Sequence, residues 1–337
     1  MPDRIEHLSR LLLYQKTDVI PRYRILRDLL KLPDDDPKLI EARIGIRSSR
    51  WYRQLVDHLA LPMPEHLIRG ESRIRETNPR VSTLFLSVDD LVMRAKQIGL
   101  TADDPELNGL IEHLLDCIHG RITVHESMNP SIGRLMAAGL LRQLVSNHPA
   151  QEPFAAALAG SVSDAYIDGT FDAQRYHQTL CDALEVPDCN PVPPVESELV
   201  LVLLTGRLEP TVESLLANDL LTRTRGIVGL NNRTMIHLPL TFPSAEACRY
   251  ILALEVIAGF DQAIDRLDFA SDWLYSCADE DGLWDMNLEC RDGIMLPLSE
   301  NWRTKSHRRT DVSIQILRVL QKLERSCSLR DVVCHPL

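Results

Sequence analysis

The sequence predicts an all-α protein, an α/α toroid of about five to six helical hairpins with inner and outer helix layers. Three observations predict it. Apolar residues recur at helical spacing almost throughout, while alternating strand patterns are rare and short. Glycines recur at 70, 120, 169, 226 and 282, spaced by 50, 49, 57 and 56 residues, as a repeated helical pair would space them. Carboxylates precede proline at Asp36-Pro37, Asp104-Pro105, Glu152-Pro153 and Glu209-Pro210, where they suit the positive end of a helix dipole.

The acidic-proline sites open the outer helices, each closing near the next glycine. Glycine ends a helix by taking the left-handed conformation that other residues avoid. Two of these turns match closely, Asp168-Gly169-Thr170-Phe171 and Asp281-Gly282-Leu283-Trp284. The inner, returning helices fall near 19–32, 84–98, 132–145, 196–204, 245–258 and 311–323. Outer segment 105–118 is amphipathic, with Leu107, Leu110, Ile111, Leu114 and Leu115 on one face. Inner segment 250–258, YILALEVIA, is apolar nearly all round, as in a helix packed on every side. Two layers with an apolar inner layer imply a ring. The pattern is whole in 263–323, which runs from a helix ending in aromatics through Asp281-Gly282-Leu283-Trp284 and a basic loop, 301–309, to a second helix. The proline-rich piece 187–194 reads as a loop, because the repeat spacing continues through it. A single domain over 1–337 is therefore expected, with 326–337 a peripheral tail.

Charge and composition narrow the function classes. A formal net charge of −11 disfavours long tracks of nucleic-acid backbone or anionic membrane as partners. The first residues show no basic stretch followed by an apolar one, so no signal peptide is expected. The longest clean apolar run, 199–204, is far too short to span a bilayer, and no membrane insertion is expected. Eight cysteines without framework spacing suit reduced thiols in a cytoplasm.

The helix ending in an aromatic and followed by Asp281-Gly282-Leu283-Trp284 resembles the Gly-aromatic turns of prenyltransferase and squalene-cyclase repeats. The acidic-proline helix starts resemble those of uncharacterised bacterial members of the terpenoid cyclase and protein prenyltransferase superfamily. The resemblance implies a toroid with ligands bound in its central cavity. Class II cyclases of that superfamily use an Asp-x-Asp-Asp acid; the nearest match, Ser87-Val88-Asp89-Asp90, lacks the first Asp. Aromatic residues, which would shield carbocations, make up only 5% of the chain, so Asp89 and Asp90 read as a solvated helix face. The prenyltransferases bind zinc through Asp-x-Cys at one inner-helix start and His at the next. Here Glu246-Ala247-Cys248 starts an inner helix, Asp311 starts the next, and His307 lies one turn earlier. Glu246, Cys248 and Asp311 are thus the candidate catalytic residues. Little tightly bound zinc is expected, because Asp stands where the family has His. The plainer reading makes Cys248 a core thiol and Asp311 a capping charge.

Three further groups could carry chemistry. His113, Cys117, His119 and His125 form a metal-like set, read more simply as histidines favoured by a helix C-terminus. Glu126, Glu196 and Glu198, with Glu246 and Asp311, could supply a glycosidase carboxylate pair, but the aromatic platforms for sugar are scarce. The basic loop carries more weight. Arg303, Lys305, His307, Arg308 and Arg309 stand just before a helix N-terminus, where cations are misplaced unless an anion is present. Such a site would receive phosphate or diphosphate. The function expected is an enzyme or enzyme-like toroid holding an apolar ligand, a prenyl diphosphate being one form of it. The alternative is a non-catalytic helical-repeat binding protein that keeps the toroid without the chemistry. In either case the partner is an apolar or anionic small molecule.

Overall fold

A computed structural model describes residues 4–15, 17–63, 87–122, 129–187, 191–223, 226–287 and 297–333, with side chains to 324. The all-α class is as expected; among the described residues the one sheet is a two-residue pair of strands. The chain parts into two compact units, one formed by 1–54 with 237–337 and the other by 55–236.

The discontinuous unit holds the helices of both chain ends. They are α1 (Arg4–Tyr14), α2 (Val19–Arg24) continued by a π turn (Ile25–Leu29), α3 (Pro37–Gly45) and the start of α4 (Arg50–Leu59). From the C-terminal half come α12 (Ala245–Ile257), α13 (Asp261–Ile264), α14 (Asp268–Ser276) and α15 (Lys305–Val333). Helix α15 is the hub, because α1, α2, the π turn, α12, α13 and α14 all pack against it. Its residues Val312, Ile314, Ile316, Leu317, Val319 and Leu320 are nearly inaccessible to solvent, so apolar surface surrounds most of its girth. The first expected inner helix, α2, and the penultimate one, α12, both pack on the last.

The continuous unit holds α5 (Val88–Ile98), α6 (Asn108–Ile118), α7 (Pro130–Leu144), α8 (Glu152–Ala165), β1 (Tyr166–Ile167), β2 (Thr170–Phe171), α9 (Ala173–Leu184), α10 (Glu198–Leu204) and α11 (Pro210–Thr222). Helix α7 packs against both α5 and α10, which are the expected inner neighbours, and against the outer helix α6. Leu107, Leu110 and Leu114 form the buried stripe of the 105–118 segment, with Ile111 and Leu115 half-buried beside it.

The acidic-proline starts hold up locally. Asp36 caps α3 by accepting from the Lys38 amide at 2.8 Å, with Pro37 in the first turn. Glu209 and Pro210 open α11 in the same order. Of the repeat glycines, Gly120, Gly169, Gly226 and Gly282 have positive φ; Gly70 lies outside the described residues. The two matching turns are not equivalent, however. Asp168 (φ 50) and Gly169 (φ 78) both turn left-handed and make a tight hairpin between β1 and β2. A helix absent from the sequence expectation, α9, follows it, capped by Asp172 accepting from the amides of Gln174 and Arg175.

Close helix packing gives the first testable outcome. A Cβ on Gly139 of α7 would lie 2.8 Å from the Cβ of Leu199 in α10 and 3.1 Å from its carbonyl oxygen. Gly139→Ala should therefore lower stability by about 1–2 kcal/mol, overpacking outweighing the gain in helix propensity. Gly160 of α8 has nothing within 4 Å of its would-be Cβ, and Gly160→Ala should add about 0.5 kcal/mol. Urea midpoints of the two variants moving in the same direction would contradict this packing.

Candidate functional site

The expected basic loop is largely the first turns of a helix. Helix α15 begins at Lys305, so Lys305, His307, Arg308 and Arg309 lie inside it, and Asp311 lies inside it rather than at its start. The cations there answer to carboxylates of the chain itself. Arg309 reaches Asp279 Oδ1 and Asp281 Oδ2, both at 2.7 Å, in the Gly282 turn. Arg308 forks onto Asp285, at 3.1 and 3.3 Å, and donates to the carbonyls of Trp302 and Arg303. His307 Nδ1 lies 3.4 Å from Asp18 Oδ2. Arg303 and Lys305 are exposed. Burial pushes the Asp279 carboxyl up, but Arg309 and the amides of Leu283 and Asp281 hold it below the ordinary range. The acidic turn thus supplies the anion that the sequence reading sought outside the protein.

That turn is also the anchor of α14 and α15. Trp284 is fully buried, donates from its indole to the Leu274 carbonyl at 2.6 Å, and from its amide to Ser313 Oγ at 3.0 Å. Asp279 Oδ1 accepts from the amides of Asp281 and Leu283, shaping the turn around Gly282 (φ 77).

The three candidate catalytic residues differ in their surroundings. Asp311 is buried and accepts four hydrogen bonds, from the amides of Leu298 and Ser299 at 2.9 Å, from Ser299 Oγ at 2.6 Å and from Trp302 Nε1 at 2.6 Å. It ties 298–302 to α15. Burial pushes its carboxyl up to about 6 against those donors. Cys248 is fully buried with Sγ 3.1 Å from the sulfur of Met286. Glu246 is half-buried in the first turn of α12, which Ser244 caps. Among the described residues no three His, Cys, Asp or Glu side chains are arranged to hold a metal ion.

The other expected sets resolve similarly. His113 Nε2 stands 3.8 Å from Cys117 Sγ; burial lowers the imidazole and pushes the thiol up to about 11, so both are neutral at pH 7. His119 sits beside Arg121, and His125 and Glu126 lie outside the described residues. Glu196 pairs with Arg223 at 2.6 Å, and Glu198 lies in the first turn of α10. Asp89 and Asp90 correct the expectation of a solvated face, since both are buried. Asp90 closes a capping box with Ser87: its carboxylate accepts from the Ser87 amide and hydroxyl, and its amide donates to Ser87 Oγ.

A charged network that the sequence reading passed over lies on three expected inner helices, α2 with its π turn, α12 and α15. Arg24, buried, meets Asp28 Oδ2 at 2.5 Å; Arg27 meets Asp28 Oδ1 at 2.7 Å. Arg318 lies 3.5 Å from Asp28 Oδ2 and 2.8 Å from Glu255 Oε1. Gln315 donates to Glu255 Oε2 at 2.6 Å, and Lys322 donates to the Glu255 carbonyl at 3.1 Å. Gln315, Arg318 and Lys322 share one face of α15 by their spacing. Arg24, Arg27, Arg318 and Lys322 thus gather about Asp28 and Glu255. Burial, then Arg318, lowers Arg24 to about 9, whereas Asp28 is held below the carboxylate range by Arg24, Arg27 and Arg318 against its burial. The π turn, marked by the Leu30 amide bonding back to Ile25, carries Arg27 and Asp28, and such turns are frequent at functional sites. The available signal was charge at helical spacing within otherwise apolar segments: Arg24, Arg27 and Asp28 in one, Glu255 inside YILALEVIA in another.

No family model matches the chain, and no curated protein or solved structure matches it.

Removing the Asp311 carboxylate should leave buried donors without partners, so Asp311→Ala should cost about 3 kcal/mol or more. The pH dependence has a definite sign. The folded carboxyl titrates near 6 against an ordinary 3.8, so the folded state holds the extra proton between those values. Its contribution is fully present below about pH 4 and is lost as pH rises through 6. The stability of the wild type relative to Asp311→Asn should therefore fall between pH 4 and 7, by at most about 3 kcal/mol. Parallel denaturant curves with a constant offset across that range would refute the assignment.

Proposed function

We infer that the helical hairpins close as an α/α toroid, and that the chain is a binding protein for an apolar small molecule with an anionic head, of the prenyl-diphosphate class, held in the central cavity. The observation that carries this reading is the gathering of Arg24, Arg27, Arg318 and Lys322 about Asp28 and Glu255 on expected inner helices, in a chain of net −11. Positive charge partly removed from water is costly by itself and is relieved by a bound anion. Arginine is suited to phosphate oxygens because its planar fork donates two parallel bonds. Ring closure has support within one unit, where the first inner helix, α2, packs on the last, α15. A toroid with its ligand in the central cavity is also what the resemblance to prenyltransferase and squalene-cyclase repeats implies.

Binding is preferred to catalysis because the residues proposed for chemistry are committed to the fold. Asp311 holds four donors of the 298–302 segment, and Cys248 is a buried thiol against Met286. Among the described residues Cys117 and Cys277 are free thiols, in keeping with a reducing compartment such as the cytoplasm. Among the described residues no helix is long and apolar enough to cross a membrane.

Farnesyl diphosphate should bind and raise the melting temperature. A ligand at a hundredfold its Kd adds about 2.7 kcal/mol to the folded state. Arg318→Gln with Lys322→Gln should weaken binding at least tenfold, and the diphosphate ester should be recovered intact after incubation. Absence of any thermal shift with farnesyl diphosphate and inorganic diphosphate at millimolar concentration would end the reading; release of free diphosphate would replace it with catalysis.

A further inference from the structure

Two cations of the expected basic loop, Arg303 and Lys305, are not absorbed by the acidic turn that neutralises Arg308 and Arg309. The start of α4 brings two more beside them. Arg50 and Arg53 stand one turn apart at the beginning of that helix. Its first turn is fastened to the 298–302 segment at two points. The Arg50 amide donates to Glu300 Oε1 at 2.8 Å, and the buried Trp51 indole donates to the Ser299 carbonyl at 3.0 Å. Arg303 and Lys305 follow Glu300 directly along the chain. The Arg303 amide bonds to Asn301 Oδ1 at 3.2 Å and Asn301 Nδ2 to Thr304 Oγ1 at 3.1 Å, which shape the turn that carries them. All four cations belong to the discontinuous unit.

These cations are not spent on the fold. All four are exposed, and none meets a carboxylate among the described residues. The Arg50 guanidinium rests 5.2 Å over the Trp51 ring, and Arg53 Nε lies 3.5 Å from the Ser49 carbonyl, back toward the helix start. Neither contact neutralises the charge. The carboxylates beside them are turned to other partners. Glu300 accepts from the Arg50 amide, while Asp18 accepts from the Glu300 amide at 2.8 Å and faces His307.

We propose that Arg50, Arg53, Arg303 and Lys305 form a docking surface for a carboxylate-rich segment of a partner protein. Charge complementarity sets the sign, because a chain of net −11 here holds four exposed cations that no carboxylate meets, and their field draws anions. The reach of that field sets the size. Screening limits it to roughly 8 Å at physiological ionic strength, so a short acidic segment feels this surface, whereas a long polyanion runs on to the acidic remainder of the chain. The placement of the cations sets the kind of charge. They come from two elements rather than one point, which suits single charges strung along an extended segment better than one doubly charged phosphate.

The test is fluorescence anisotropy with the full chain and labelled probes of equal length: an oligoglutamate, an oligoglutamine, a neutral peptide bearing one phosphoserine, and an oligouridylate. Oligoglutamate should bind saturably at one site at low ionic strength and weaken as salt is added, and oligoglutamine should not bind. Arg50→Gln with Arg303→Gln, one cation from each element, should weaken oligoglutamate at least tenfold. Lys at both positions keeps the charge and should hold the affinity within threefold. Arg175→Gln with Lys38→Gln changes the net charge equally at exposed positions elsewhere and should leave binding unchanged. Arg318→Gln, in the inner-helix network, should also leave it unchanged, so failure here is separable from failure of the diphosphate site. No saturable oligoglutamate binding, an equal loss in the Arg175 and Lys38 variant, or tighter binding of the phosphoserine peptide or the oligouridylate would overturn the proposal.

Discussion

Arg318 stands between Asp28 and Glu255, and through it the π turn that continues α2 is bound to α12 and α15 across nearly the whole length of the chain. Opposite charges partly removed from water repay their desolvation only when the geometry is good and the remaining polar groups are met. Those conditions are approached here. Asp28 is met by three guanidinium groups, and Glu255 by a guanidinium and an amide. The apolar girth of α15 would allow several rotational settings against α2 and α12 by hydrophobic contact alone, because the hydrophobic effect has no direction. The paired charges choose one setting. The same network that orders the helices gathers four cations in one place, and the proposed ligand site is built on that gathering.

A second pairing works at the other end of α15. Cations in the first turns of a helix oppose its dipole, yet Arg308 and Arg309 stand there. Asp279, Asp281 and Asp285 of the preceding turn neutralise them. The arrangement is reciprocal, since the turn needs the cations as much as the helix needs the carboxylates. With Trp284 buried beneath it and Asp311 gathering the 298–302 segment, this corner is closed by polar contacts on all sides. Its residues are those that a reading by motif would make catalytic, and they are spent on structure.

Helix positions, glycine turns and acidic-proline starts were legible in the sequence because they rest on interactions within a few residues. Asp36 caps its own helix, Gly120 turns left-handed just past the end of α6, and the stripe of Leu107, Leu110 and Leu114 has the helical period. The equivalence of the two Asp-Gly turns failed for a related reason. A shared dipeptide permits the left-handed step, but Asp168 also takes it and Asp281 does not, so one becomes a hairpin and the other a loop around Trp284.

By itself the sequence determined the all-α class and the approximate positions of α2, α5, α7, α10 and α12, since backbone propensity and hydrophobic period act locally. Only the tertiary structure decided which charges meet. Asp89 and Asp90 look solvated until burial is known, Asp311 looks like a cap until α15 is seen to begin at Lys305, and Arg309 looks free until Asp279 and Asp281 stand beside it. Arg24 and Glu255 are 231 positions apart in sequence, and nothing within either segment announces the other. A charge–charge interaction depends on distance and local dielectric, and both are properties of the folded chain rather than of its order.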